Sequence, residues 1–151
     1  MALTKKKRMI KNYQYHSNKV RDWIESVTPG LSPPELIELF EFTITKLWSR
    51  SCIMIGDVTL LAILDRVLAS FTETHKISFP LSIDSAGIRW DNLRKSGAKL
   101  KPDEIILALT YFATEFIAIA GSITGDLLSG PLHKELETIT LKNNNTGGNR
   151  E

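Results

Sequence analysis

A chain of 151 residues is long enough for one domain with a sizeable hydrophobic core and too short for two ordinary ones. With 42% hydrophobic and 24% charged residues, 9 Gly, 6 Pro and a single Cys, it is not collagen-like, not a disulfide scaffold, not wholly disordered and not a multi-pass membrane protein. The net charge of +2 conceals a split. Residues 1–24 hold seven of the 19 Lys and Arg and one of the 17 acids, a charge of +6, which leaves −4 for the rest. The organisation read from this is a basic flexible arm over 1–12, a single helical domain over 13–141 and a disordered Asn- and Gly-rich tail over 142–151.

Met1-Ala2-Leu3-Thr4 and the cluster Lys5-Lys6-Lys7-Arg8 have no apolar stretch of signal-peptide length behind them. Together with the unpaired Cys52, this gives a cytoplasmic expectation. Residues 9–27 place Ile10, Tyr13, Val20, Trp23, Ile24 and Val27 at spacings that suit an amphipathic helix, stopped by Thr28-Pro29-Gly30. The next start is the clearest in the chain: Ser32 as N-cap, Pro33 in the first turn and Glu35 three residues on form a capping box.

From there one helix is expected to run over about 33–74, interrupted by nothing but Gly56. Its length of about 60 Å exceeds the diameter of about 40 Å expected of a compact globule this size. Either it breaks near Gly56 or it continues and packs against a second copy, and the second outcome is favoured. Cys52, within Cys52-Ile53-Met54-Ile55, reads as a small buried hydrophobe. Residues 77–83 alternate apolar and polar but contain Pro80, which makes an extended connector rather than a sheet. Asp84-Ser85 is expected to cap a short helix over about 84–95.

Pro102-Asp103-Glu104 opens a second long helix, expected over about 102–128, in which Glu115 is the one charge between Ile105 and Gly125. Three threonines, two glycines and that acid argue against a membrane span. Glu104, Glu115 and Asp126 recur every 11 residues and define a narrow polar stripe, so the helix is expected at the centre of a bundle. Tyr111, one turn earlier, is the expected hydrogen-bond partner of Glu115. Gly56 and Gly121 each open a Gly-x-β-branched-Thr pattern, which would let the two long helices cross at their glycines.

No chemistry-bearing motif of high specificity is present. His16, His75 and His133 share no metal-ligand spacing with one another or with Cys52, and nucleotide-binding and hydrolase signatures are missing. No enzyme activity, metal or cofactor is therefore expected. His133, in Leu132-His133-Lys134-Glu135, is the one phosphoacceptor candidate, read as lying on an exposed helix face. Lys5, Lys6, Lys7, Arg8 and Lys11, interleaved further on with Tyr13 and Tyr15, are candidates for binding an anionic partner: nucleic acid, where cations release counterions and rings stack on bases, or an anionic membrane surface.

The fold expected is all-α: a helical bundle with two long apolar helices, completed by homodimerisation into a four-helix core. The function expected is a small non-enzymatic regulatory or scaffolding module that dimerises and binds a protein partner. A nucleic-acid-associated protein using its basic arm and a histidine phosphotransfer protein in a signalling relay are the two other readings.

Overall fold

The computed structural model describes the backbone of residues 2–140 and the side chains from Lys11 onward, Ala98 excepted. Its element order is α1 (Ala2–Val27), α2 (Pro33–Ile55), α3 (Asp57–His75), β1 (Ser82–Asp84), β2 (Gly87–Arg89), α4 (Asp91–Ser96), a 3-10 turn (Gly97–Lys99), α5 (Pro102–Ile123) and α6 (Ser129–Thr138). Among the described residues the protein is thus a helical bundle with one two-stranded hairpin. The stretch expected as a flexible arm over 1–12 is helical from Ala2 and continuous with the rest of α1. The tail over 142–151 lies outside the described residues.

Where the sequence carries a strong local signal, the backbone follows it. The Ser32 backbone N–H donates to Glu35 Oε1 at 2.9 Å, and the Glu35 N–H donates back to Ser32 Oγ at 3.4 Å. This closes the capping box that starts α2. The Lys101 N–H donates to Glu104 Oε1 at 3.0 Å at the start of α5.

The long helix expected over 33–74 is broken at Gly56, and this corrects the favoured outcome. Gly56 adopts φ 88 and ψ 153, a conformation open almost only to glycine. It ends α2 through its N–H on the Cys52 carbonyl at 2.8 Å and starts α3. The two arms fold back on each other. Phe40 lies sixteen residues before Gly56 and Phe71 fifteen after it, yet both rings pack on Phe112 of α5, at centroid distances of 5.2 and 6.0 Å. Phe79 from the connector closes the cluster against Phe40 at 5.0 Å. Folding back buries within one chain much of the apolar surface that a continuous helix would have left for a second copy.

The hairpin replaces the first half of the short helix expected over 84–95. The Asp84 carboxylate accepts from the Ala86 N–H at 2.8 Å and from Arg89 Nε at 3.0 Å, and Gly87 takes a positive φ, so the side chain that was expected to cap a helix closes a turn instead. Ile83 pairs with Ile88 in the antiparallel register.

Helix α5 is the centre of the bundle, packing against α1, α2, α3 and α6. Ile105, Ala108, Leu109, Phe112, Phe116 and Ile117 are among its fully enclosed side chains. It is long and apolar enough to cross a membrane, and more than half of its apolar stretch is buried inside the bundle. It ends at Ile123 rather than near 128, because Gly125 and Asp126 take positive φ and the Asp126 N–H reaches back to the Gly121 carbonyl at 2.7 Å. The two glycines do not mark a helix crossing. Gly56 has open space where a Cβ would stand, whereas Gly121 makes room for the Ser129 hydroxyl at the start of α6.

Candidate functional site

Two features stand out from the packed body. The first is an open groove of about 530 Å³ between α3 and α5. Thr59, Ala62, Ile63, Arg66, Val67 and Ser70 follow one another at helical spacing, so they form one stripe along α3. Glu115, Ile119 and Ile123, four residues apart, form the facing stripe of α5. The helices run antiparallel: the Ser70 and Tyr111 hydroxyls meet at 2.6 Å, while Thr59 and Ile123 border the groove further along. Its floor is apolar, with a cation from one wall, Arg66, and an acid from the other, Glu115. These two do not form an ion pair with each other.

Glu115 is half-buried, and its hydrogen-bond partner is Tyr13 of α1 rather than the expected Tyr111. Burial first, and then the Glu115 carboxylate, hold the Tyr13 phenol above its ordinary range. Tyr111 is drawn away because its hydroxyl finds Ser70 and its ring packs edge-on against His75, with centroids 5.4 Å apart.

The second feature joins α1 to α6. His133 is not on an exposed face. It is 7% exposed, its Nε2 lies 2.7 Å from Nδ1 of His16, itself 4% exposed, and the two rings stack with centroids 5.0 Å apart. Tyr15 packs edge-on against both rings, at 5.8 and 5.5 Å, and Lys19 lies over the Tyr15 ring. A contact of this length takes one N–H and one lone pair, so a fully protonated pair would set two N–H groups head to head. Burial is the leading cause that depresses both imidazoles, His133 down to about 4, with the His16 and Lys19 charges adding to it; Asp126 partly offsets the effect at His16.

The phosphoacceptor candidate His133 thus has its Nε2 engaged by His16 and its ring largely enclosed between α1 and α6. Next to this pair, Trp23 Nε1 donates to the Ile139 carbonyl at 2.9 Å. Nothing in the sequence announced the histidine pair, since its members lie 117 residues apart.

Of the other sequence candidates, Lys11 is exposed on α1. Lys5, Lys6, Lys7 and Arg8 sit on the helical backbone, and their side chains lie outside the described residues. Tyr13 and Tyr15 are partly exposed on α1 while also touching Glu115 and the histidines respectively. Cys52 is half-buried at the edge of the core, and its thiol donates to Asp57 Oδ1 at 3.0 Å. Among the described residues, no three His, Cys, Asp or Glu side chains come together as metal ligands would.

Comparison of the chain with family models, with curated proteins and with solved structures finds no match.

Proposed function

We propose that the protein is a small, non-enzymatic regulatory or scaffolding module of the cytoplasm that works as a homodimer joined through the α3–α5 groove. The observation that carries this reading is the self-complementary layout of the groove. A two-fold interface uses the same patch on both subunits, so it needs a surface that fits itself. An apolar floor with Arg66 on one wall and Glu115 on the other meets that condition, because a two-fold axis brings the arginine of one copy toward the glutamate of the other. Helices α3 and α5 of both copies then form a four-helix core between subunits. The rest of the surface, including α1 and α6, stays available for the protein partner on which such a module acts.

The mass of the full chain in solution tests this, measured by light scattering at micromolar concentration. The wild type is expected as a dimer. Ile123→Asp, at a groove residue already 54% exposed and therefore tolerant of the change, is expected as a folded monomer. A wild type that remains monomeric overturns the reading.

A further inference from the structure

Along α1 the apolar and the polar anchorage are separate. Val20, Trp23, Ile24 and Val27 are buried in the core, whereas no side chain from Lys11 to Tyr15 is buried. Among the described side chains of this helix, His16 is therefore the outermost buried one. Two polar contacts fasten the outer part to the bundle. His16 Nδ1 meets His133 Nε2 of α6 at 2.7 Å, and one turn earlier the Tyr13 hydroxyl donates to Glu115 of α5. Tyr15 adds the edge of its ring against the two histidines, and Gln14 spends its amide on Asn18 within the same helix. Lys19 lies 4.0 Å from Glu137 of α6 with both side chains open to water, a pairing that contributes little.

The histidine contact accepts one added proton and not two. With one, an imidazolium N–H still points at a lone pair; with two, an N–H faces an N–H and two positive charges share an enclosed site. The groups around the pair divide the protons unevenly. Asp126, in the turn after α5, favours a charge on His16, while the His16 charge and Lys19 of α1 oppose one on His133. Among the described residues, no charge from α2 or α5 acts on either ring. Once the outer part of α1 lifts off, both rings return to water, where an imidazole takes its proton near 6.5, against about 4 for His133 in place. From His133 alone, the open form gains about twentyfold on the closed one between pH 7 and pH 5.

We infer that the His16–His133 contact is a proton-operated latch: when both rings are protonated it opens, and α1 up to Lys19 leaves α5 and α6 while the helix from Val20 onward stays packed. The division of the anchorage carries this, because Val20, Trp23, Ile24 and Val27, with Trp23 Nε1 on the Ile139 carbonyl, hold the inner part without either histidine. Partial openings of this kind follow the boundaries of apolar packing. Release also takes the Tyr13 phenol away from Glu115, so acid is felt on the α5 wall of the groove. The latch is an event within one chain and does not rest on dimerisation.

Amide hydrogen exchange on the full chain tests the inference, expressed as protection relative to the unfolded chain at the same pH. At pH 7 the amides of residues 13–19 are expected to be less protected than those of Leu109–Ile117 at the centre of α5, which open with the whole fold. At pH 5 the protection of residues 13–19 is expected to be at least about tenfold lower than at pH 7. His133→Gln keeps an N–H and an acceptor beside His16 but takes no proton; with its fold checked by circular dichroism, it is expected to lose most of that drop. Tyr13→Phe, at a partly exposed position, is expected to start from lower protection and keep the drop. Each of the following overturns the inference: equal protection of residues 13–19 at the two pH values, their opening only together with α5, a folded His133→Gln protein that keeps the whole drop, or a Tyr13→Phe protein that has lost it, which would place the response at Glu115.

Discussion

The histidine pair shows how burial turns two unremarkable residues into a pH-sensitive joint. His133 has its imidazole depressed from 6.5 to about 4, so the folded protein holds fewer protons than the unfolded chain between those values. The stabilisation is complete above pH 6.5 and is lost as the pH falls toward 4; His16 shifts in the same direction. The melting temperature is therefore expected to drop by at least about 4 °C between pH 7 and pH 5. The double variant His16→Gln, His133→Gln, which keeps polar groups but removes the titration, should flatten that dependence. Parallel melting curves of wild type and variant across the range would show that the pair does not link proton uptake to unfolding.

Cys52 makes a second residue-scale case. Its thiol is pushed above its usual range, chiefly by the hydrogen bond it donates to Asp57. Only the thiolate is a good nucleophile, so Asp57→Asn should speed alkylation by iodoacetamide near neutral pH several-fold, with rates followed by mass spectrometry. An unchanged rate would mean that the hydrogen bond does not govern the thiol. These contacts differ in how visible they were in the sequence. Cys52 and Asp57 are five residues apart, about 140° around a continuous helix, and the thiol reaches the carboxylate across the break at Gly56. His16 and His133, or Tyr13 and Glu115, meet only when α1 is laid on α5 and α6, and no periodicity within a segment encodes that.

At the scale of elements, the two starts marked by a proline and a glutamate within one turn were the easiest to read. Ser32 and Pro33, and Pro102 with Glu104, act through groups within one turn, and both helices begin where those groups indicate. Gly56 was ambiguous because a glycine inside a helix costs only about 1 kcal/mol and is often tolerated. What breaks the helix is the gain from folding back, with Phe40, Phe71 and Phe79 all closing on Phe112. The same competition decides the hairpin, where Asp84 spends its carboxylate on the turn and on Arg89. At Gly56 an alanine would meet open space but must adopt the glycine-specific backbone. Gly56→Ala should therefore destabilise by about 2 kcal/mol through backbone strain alone. Chemical denaturation measures this, and a neutral result would show that α2 and α3 can join as one helix at little cost.

For the whole molecule, the mean charge and hydropathy were the least informative quantities and their distribution the most. The +6 over residues 1–24 falls on one helix, α1, rather than being spread through the bundle. The apolar excess of the two long segments is largely consumed within one chain, by the α2–α3 fold-back and by α5 at its centre, and the large apolar side chains left exposed on them are Ile53, Met54, Val58, Leu107, Ile123 and Leu127. That exposed surface is what supports the proposed interaction role: the enclosed histidines pair with each other, the hydroxyls of Thr43 and Thr114 are buried without a partner, and the open groove holds one acid and one cation on opposite walls. A charge-reversal cycle on these walls tests the two-fold pairing most directly, with mass in solution as the readout and circular dichroism confirming the fold. Arg66→Glu alone is expected to be monomeric at micromolar concentration, and Arg66→Glu combined with Glu115→Arg to recover the dimer. A combined variant that is folded yet monomeric, or an Arg66→Glu protein as dimeric as the wild type, would contradict dimerisation through the α3–α5 groove.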